Sequence, residues 1–347
     1  MTEYYEGDTF EEIKNIKEVE EKVLNLYTQK WHEYNEATTK EKLIAQQLLL
    51  ELLQNIEEPK YSFGRPGTPI KERIFCMFLY SYSTFSSRRS ISDLEIARRR
   101  NLLSKTYHFN TLMTFYNDKG MTPLISQLIE ITALPLRMFE KDFTMDSSGF
   151  SCPRFSQWFN IRTQKKSLKR DWKKANLFCG VKSNIIVSLT ITDGNDGDSP
   201  ELIPLIKRAS KFFDMEEVSA DKAYSSRENL KAIAKIGAIP FIPFRSNSTI
   251  HPKGYRIWKT MWMFYYQNQE KFLEHYHKRS NAESTFSMIK RKFGNHLRTK
   301  RDTSQVNEIL MKCLCHNLSV LIHESFELGI EIDFTSCAKL YFAHKEN

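Results

Sequence analysis

Residues 142–150, DFTMDSSGF, open the part of the chain whose order of elements decides the fold. They are predicted to form a strand, in which the apolar stretch from Phe143 ends at Asp146, next to serines and a glycine. Further strands are predicted at 176–181, 184–193, 217–221 and 238–244, and a tight turn at Lys182-Ser183 joins the first two of these. A second aspartate, Asp221, ends the strand at 217–221.

Helices are predicted between and after these strands, at 199–213, from Ser225 onward, and at roughly 256–274, 277–293 and 303–328. Three strands, a helix, a strand, a helix, a strand and then helices is the element order of an RNase H-like fold. The sequence therefore predicts a mixed α/β protein with an RNase H-like core.

The first 140 residues predict only helices. Apolar residues recur at three- and four-residue steps within 10–57, and Tyr61 to Pro69 is the clearest linker. Thr68 and Pro69 are expected to supply the cap and the first-turn proline of a helix running to about Phe85. Shorter helices are expected at Ser90 with Asp93 as a capping box, near Asn110 and at Thr122-Pro123. We divide the chain into an acidic helical region (1–60), a helical domain that we expect to bind DNA (61–140), an RNase H-like domain (141–330) and a C-terminal tail (331–347). Several short helices in a row also suit any small bundle.

The charge of the chain is distributed unevenly. The net charge is +9, yet residues 1–60 carry 14 acidic and 7 basic side chains. Residues 154–182 hold nine Lys and Arg against Asp171 alone, and residues 278–301 hold eight against Glu283 alone. Such stretches are often only solvated faces, but together they indicate a polyanionic partner.

Several classes of protein are disfavoured by composition. No apolar run approaches the roughly 20 residues that span a bilayer, and the acidic N-terminus resembles neither a secretory signal nor a transit peptide, so we expect a cytoplasmic protein without a membrane partner. The six cysteines show no CxxC spacing and are expected to be buried apolar residues; Cys313, Cys315 and His316 lie close together but lack a fourth metal ligand.

The stretch YHKRSNAESTFSMIK (residues 276–290) contains Tyr276, Arg279, Glu283 and Lys290 with two, three and six residues between them. This pattern resembles the tyrosine, arginine, glutamate, lysine signature of DDE transposases from prokaryotic insertion sequences. TMDSSGF around Asp146, SADKAYS around Asp221 and TDGNDGDS at 192–199 are similar to the same family. The resemblance covers about residues 140–325.

The resemblance implies a catalytic triad of Asp146, Asp221 and Glu283 that binds two Mg²⁺ or Mn²⁺ ions. It also implies that Tyr276, Arg279 and Lys290 hold DNA phosphates near the cut, in an enzyme that cleaves transposon ends and joins the 3′-hydroxyl to target DNA. The partner is then double-stranded DNA, and a homo-oligomer is expected on it. Carboxylate oxygens are the hard ligands that magnesium prefers. Two metal ions about 4 Å apart activate the attacking oxygen and stabilise the leaving one.

Three sequence features limit what the resemblance implies, and two alternative functions remain open. The 61 residues between Asp221 and Glu283 are too few for a large extra domain. The aromatic segment from Trp258 to Tyr266 could stack an unpaired base, although a buried helix face is favoured, and the acids Asp193, Asp196 and Asp198 are interpreted as a solvated loop with a helix cap at Ser199. The alternative functions are an RNase H-fold nuclease without strand transfer and a DNA-binding protein that has lost catalysis.

Two expectations concern DNA binding and geometry. Lys165, Lys166, Lys169 and Arg170 are expected to contact DNA. On a helical wheel, Arg279, Glu283 and Lys290 share one face with Tyr276, and Ala282, Thr285, Met288, Ile289 and Phe293 form an apolar back. Glu283 is expected to approach both aspartates, across 137 and 62 residues of sequence, closely enough to share metal ions.

Overall fold

The computed structural model of the chain describes residues 30–59, 63–64, 67–152, 162, 172–251 and 253–344. Its first part is helical, with α1 (Trp31–Gln54), α2 (Ile70–Ser83), α3 (Ile91–Arg99), α4 (Phe109–Tyr116) and α5 (Met121–Ala133). Residues 61–62 and 65–66 of the predicted linker, and the part of the predicted helical stretch before residue 30, lie outside the described residues. The predicted helices near Asn110 and at Thr122-Pro123 are confirmed.

The starts of α2 and α3 differ from the predicted caps. The first free N–H groups of α2, at Ile70 and Lys71, donate to the Glu58 carboxylate at 2.8 and 3.0 Å, so the cap comes from twelve residues upstream and not from Thr68. The capping box at Ser90 is wrong, because Ser90 makes no side-chain cap and its hydroxyl donates to the Ser87 carbonyl. The Glu58 carboxylate is favourable at the start of α2, because helix N-termini carry partial positive charge.

A five-stranded mixed sheet forms the centre of the second part. Its strands are β1 (Asp142–Ser151), β2 (Trp172–Gly180), β3 (Ile186–Asp193), β4 (Glu217–Ala220) and β5 (Ile239–Phe241), in the order β3-β2-β1-β4-β5. The first three strands pair antiparallel, whereas β1–β4 and β4–β5 are parallel. This is the α/β RNase H-like arrangement that the element order predicts, with each strand within a few residues of its predicted position.

Helices connect and cover the sheet. They are α6 (Leu202–Ala209), α7 (Arg227–Lys235), α8 (Arg256–Gln267), α9 (Gln269–Tyr276), α10 (Ser280–Phe293), α11 (Asp302–Leu328) and α12 (Phe334–Ala343). Ser226 caps α7 by accepting from the Asn229 N–H, one residue beyond the predicted start. The predicted helix at 256–274 is two helices, because the backbone of Asn268 (φ −131°, ψ 52°) is not helical.

Helix α11 joins the N-terminal helices to the sheet and is buried along most of its length. Asn317 on this helix donates to the carbonyls of Ile129 on α5 and Ile186 on β3, and accepts from the Ile186 N–H. Nearer its start, Asn307 donates to the carbonyls of Tyr116 and Asp118. The helical first part and the sheet therefore share one apolar core.

The cysteines and the C-terminus also pack into this core. Cys313 and Cys315 are buried on α11, and Nε2 of His316 lies 2.9 Å from the carbonyl of Asn184. The C-terminal tail holds helix α12, whose Tyr341 hydroxyl donates to Glu130 of α5 at 2.7 Å. In the described part of the chain, no helix is long and apolar enough to cross a bilayer.

Candidate active site

Asp146 and Asp221 lie side by side at one edge of the sheet. Strands β1 and β4 run parallel, and Met145 is paired with Ala220, so the next residue of each strand is an aspartate. The predicted strand at 142–150 is confirmed, and β1 continues past Asp146 to Ser151 through its pairing with β2. The pairing with β4 does end at Met145, and Asp146 therefore lies where the β4 side of the strand opens.

The Asp146 carboxylate is mostly enclosed, with 19% of its side chain exposed. Its Oδ1 accepts from the Ser147 N–H at 2.9 Å, and its Oδ2 lies 3.4 Å from Nη1 of Arg279. Burial raises the pKa of Asp146, the Ser147 N–H and Arg279 lower it, and the charges of Glu283 and Asp221 raise it further. Asp146 is thus a carboxylate crowded by two other acids.

Asp221 starts a single 3₁₀ turn from Lys222 to Tyr224. Its Oδ1 accepts from the Lys222 N–H at 2.6 Å, which fixes the side chain at the mouth of the sheet. Asp221 is thus the N-cap of this turn, and the strand register also places it beside Asp146.

Arg279 lies between two of the three carboxylates. Its Nη1 faces Asp146, and its Nη2 donates to Oε1 of Glu283 at 2.5 Å. The Tyr276 ring lies 5.8 Å from the same guanidinium. Glu283 stands in the first turn of α10 with 59% of its side chain exposed.

Glu283 and Asp146 are thus connected by Arg279, which contacts both carboxylates. In the described parts of the chain, no three His, Cys, Asp or Glu side chains are grouped as ligands of one metal ion. Sharing of metal ions by Asp146, Asp221 and Glu283 therefore stays a prediction. The positive charge that lies between Asp146 and Glu283 here is the Arg279 guanidinium.

Lys290 is on the face of α10 that meets β1, two turns after Glu283. Its Nζ donates to the Ser148 hydroxyl at 2.6 Å and lies 5.3 Å from the Phe150 ring and 5.8 Å from the Phe286 ring. Burial lowers the pKa of Lys290, and no carboxylate of the described residues pairs with it. The predicted apolar back is buried at Ala282, Thr285, Ile289 and Phe293, while Met288 is half-buried.

Tyr276 stands outside α10. It is the last residue of α9, and a 3₁₀ turn from His277 to Arg279 separates it from Ser280, where α10 begins. Burial raises the pKa of Tyr276, while Arg279 lowers it and the charges of Asp221 and Asp146 raise it. Tyr276, Arg279 and Lys290 therefore all lie around the aspartates, although only Lys290 and Glu283 belong to one helix.

Lys278 anchors this turn to the sheet, a role that the sequence did not reveal. Its Nζ lies 2.8 Å from Asp142 and 2.8 Å from Glu217, the paired first residues of β1 and β4. His275 lies 2.8 Å from the other oxygen of Glu217 and stacks on Phe241. This role depends on the pairing of Asp142 with Glu217 across two distant strands, and a single sequence does not reveal that pairing.

The two basic stretches are partly neutralised within the fold. Lys174 lies 2.6 Å from Asp198, Lys173 pairs with Asp193 and Asp302, and Lys292 pairs with Glu41. Of the predicted DNA contacts in the first stretch, Lys165, Lys166, Lys169 and Arg170 lie outside the described residues. In the second stretch, residues 278–301, Arg279 contacts Asp146 and Lys290 contacts Ser148, two residues further along β1.

The remaining candidates have structural roles. Asp198 makes no side-chain cap at Ser199, so that predicted cap is wrong, and the Asp196 carboxylate instead accepts from the Asp193 N–H at 3.0 Å. In the aromatic segment, Trp258 and Met261 are buried, and among its aromatic side chains only Tyr266 is exposed, by about half. The interpretation of a largely buried helix face therefore fits better than a base-stacking platform.

A family model described as "Transposase DDE domain" matches residues 138–318, which is more than half of the chain. The chain belongs to the DDE transposase family. It is therefore an enzyme that acts on DNA, and transposases of this family generally use divalent metal ions.

Two further similarities accompany the match. The chain is 24% identical over 312 residues to a probable transposase for insertion sequence element ISA1214 from Archaeoglobus fulgidus, covering 90% of this chain and 93% of that one. A cryo-EM structure of the piggyBac transposase synaptic complex with hairpin DNA matches 87% of this chain and 77% of its own, with 11% identity and a TM-score of 0.42. The chain thus extends over nearly the full length of its archaeal relative.

Proposed function

We propose that this transposase cleaves DNA strands at transposon ends and joins the freed 3′-hydroxyl to target DNA at a centre formed by Asp146, Asp221 and Glu283. The observation that carries the proposal is the β1–β4 register, which sets the two aspartates side by side. Arg279 then links Asp146 to Glu283 of α10. The proposed centre thus draws its three acids from separate elements, and Arg279 contacts two of them, Asp146 and Glu283.

The residues fit a pair of Mg²⁺ or Mn²⁺ ions. Burial, with smaller contributions from the charges of Glu283 and Asp221, raises the pKa of Asp146, and bound cations would stabilise its charged form. Arg279 already places positive charge between Asp146 and Glu283, which supports this as a position where a cation is stabilised. When bound, the two ions supply activation of the attacking oxygen and stabilisation of the leaving one.

The surrounding side chains would hold the DNA strand. Arg279 is a planar, permanently charged group that binds phosphate in two-point fashion, and it can exchange its carboxylate partners for a phosphate. Lys290 is a cation without an acidic partner in the described residues, directed at Ser148 of β1. Tyr276 borders the same guanidinium and is only partly buried.

Further DNA contacts and self-association complete the proposal. Lys165, Lys166, Lys169 and Arg170 precede β2, in a stretch where Lys and Arg outnumber acids nine to one; Lys173 and Lys174 pair with acids elsewhere in the fold, and the excess of the others favours a polyanion. A homo-oligomer is proposed because two transposon ends have to be cut and joined together. Residues 61–140 are proposed to bind the ends.

A hydrolytic nuclease with the same fold is the rival function, and a binding protein without catalysis is the other. Both predict no joining of a 3′-hydroxyl to a second DNA. The presence of all three acids together with Tyr276, Arg279 and Lys290 argues against lost catalysis. Joined products from a labelled transposon end and a plasmid would exclude both rivals.

The test of the site uses Asp146→Asn, Asp221→Asn and Glu283→Gln. Each variant should lower metal-dependent nicking by roughly 10²–10³-fold or more, while duplex binding in a mobility-shift assay stays within a few-fold, because cations supply most of the affinity. Glu274→Gln, an exposed acid on α9, is the matched control and should nick normally. Any of the three variants that nicks at the wild-type rate removes that residue from the site.

A further inference from the structure

Residues 222–260 carry eight Lys and Arg but only one acid, Glu228. The cations are spaced three to ten residues apart, so no basic run draws attention to them in the sequence. Among the described residues, which omit only Pro252 in this range, none of the eight forms an ion pair within 4 Å of a carboxylate. This contrasts with Lys173, Lys174 and Lys278, whose charges are balanced inside the fold.

Five of these cations lie on α7 or at the start of α8, namely Arg227, Lys231, Lys235, Arg256 and Lys259. The Arg227 guanidinium lies 4.3 Å from the Trp258 ring and donates to the His251 carbonyl at 2.9 Å. One turn further along α7, Nζ of Lys231 lies 5.2 Å from the Tyr255 ring. Lys231, Arg256 and Lys259 are exposed, so their charges face solvent on one side of the helix pair.

The same surface reaches the active site. Arg245 donates to the carbonyls of Lys222 and Ala223 at 3.4 and 3.0 Å, and Lys222 directly follows Asp221. Arg245 is exposed, as are the polar residues Ser246 and Asn247 that follow it. We call Lys222, Arg227, Lys231, Arg245, Arg256 and Lys259 the α7–α8 surface.

This surface and the Lys290 side lie on either side of the aspartates. Lys290 contacts Ser148 on β1, and α10 packs against β1 and β2. The α7–α8 surface instead follows β4 and β5, on the other side of β1 in the sheet order. The carboxylates therefore stand between two groups of cations.

We propose that the α7–α8 surface binds the phosphate backbone of the target DNA duplex. The inference rests on the proposed function, because strand transfer requires two DNA molecules at one set of carboxylates. Long cationic side chains hold phosphates without reading base sequence. A transposon end must be told apart from other DNA by its bases, whereas a target duplex needs only to be held, so an unpaired cationic surface fits the target.

The experiment removes three exposed charges together, in Lys231→Gln, Arg256→Gln and Lys259→Gln. Strand transfer from a pre-cut end carrying the terminal repeat is measured at increasing plasmid concentration and at several salt concentrations. The plasmid concentration for half-maximal transfer should rise about tenfold or more, and the salt dependence should flatten by about two to three phosphate contacts. Cleavage of uncut ends should stay within about twofold.

Two further variants serve as controls. Lys207→Gln, Lys211→Gln and Lys339→Gln remove the same charge from exposed positions on or next to α6 and on α12, and should leave transfer unchanged. Lys231→Arg, Arg256→Lys and Lys259→Arg keep the charge and should retain transfer. Thermal unfolding checks that the triple variant is folded, and the single variants Lys231→Gln and Lys259→Gln replace it if it is not.

The outcomes separate this inference from the proposed function. Unchanged transfer, or an equal loss of end cleavage and transfer, would overturn the assignment of the surface to target DNA. If the wild-type protein neither cuts nor joins DNA with Mg²⁺, the proposed function fails. Binding of a duplex without the terminal repeat by wild type and triple variant then still tests the surface, and equal binding would overturn it.

Discussion

Lys290 shows how one side chain can be costly for folding and useful for chemistry. Burial lowers its pKa, which means that its charge is held in a less polar setting than water. Its neighbours are the Ser148 hydroxyl and the rings of Phe150 and Phe286. A partly buried cation without an acidic partner is strongly stabilised when a phosphate binds beside it.

We therefore expect Lys290→Met to leave the free energy of unfolding unchanged or to raise it by up to about 1 kcal/mol, because an unpaired, partly buried charge is removed. Nicking should fall, and the salt dependence of DNA binding should lose about one phosphate contact. Denaturant unfolding and binding titrations at several salt concentrations measure both effects. Lys290→Arg is the control that keeps the charge; a Met variant that is strongly destabilised but cleaves normally would show a purely structural lysine.

At the scale of elements, the turn from His277 to Arg279 determines where the arginine points. Lys278 fastens that turn to the first residues of β1 and β4 through Asp142 and Glu217. Burial alone would raise the pKa of Glu217, but the hydrogen bonds from His275 and Lys278 lower it. The anchor is thus electrostatic and holds α10 in register with the aspartates.

Lys278→Met should lower the free energy of unfolding at neutral pH by about 1–3 kcal/mol, because two partly buried carboxylates lose their cation. Since the pKa of Glu217 is lowered in the folded state, its stabilisation is present above its ordinary pKa and is lost as pH falls below it. The difference between wild type and variant should therefore shrink in acid. Lys271→Met, an exposed lysine on α9, is the comparison, and equal stability of both variants would contradict the anchor.

Local patterns predicted most elements but not the contacts between them. Alternation and periodicity located β1, β2, β3, α10 and α11 because each buries one face or its whole length. The Glu58 cap and the Lys278 anchor were missed because their partners lie far away in sequence. Likewise, the motif predicted which residues surround the site, while the position of Arg279 between Asp146 and Glu283 depends on a contact across 133 residues.

At the scale of the whole molecule, the proposed division at residue 140 crosses a continuous core. Asn317 on α11 bonds to α5 and to β3 with both ends of its amide, at distances from 2.8 to 3.2 Å. It is buried, and its amide also donates to the Thr132 hydroxyl at 3.1 Å. The helices before residue 140 and the sheet after it are therefore expected to unfold in one cooperative transition.

Asn317→Leu should lower the free energy of unfolding by about 2–4 kcal/mol, because the Ile186 N–H and the carbonyls of Ile129 and Ile186 lose buried partners. Far-ultraviolet circular dichroism, which follows mainly the helices, and fluorescence of the five tryptophans should show coincident transitions in both proteins. Ser325→Ala, whose hydroxyl donates only to a carbonyl of its own helix, is the control on α11 and should cost little. Two separate transitions would mean that the helical domain and the catalytic core fold independently. The helices proposed to bind transposon ends could then move relative to the carboxylates, whereas a single transition would mean that they and the sheet unfold as one unit.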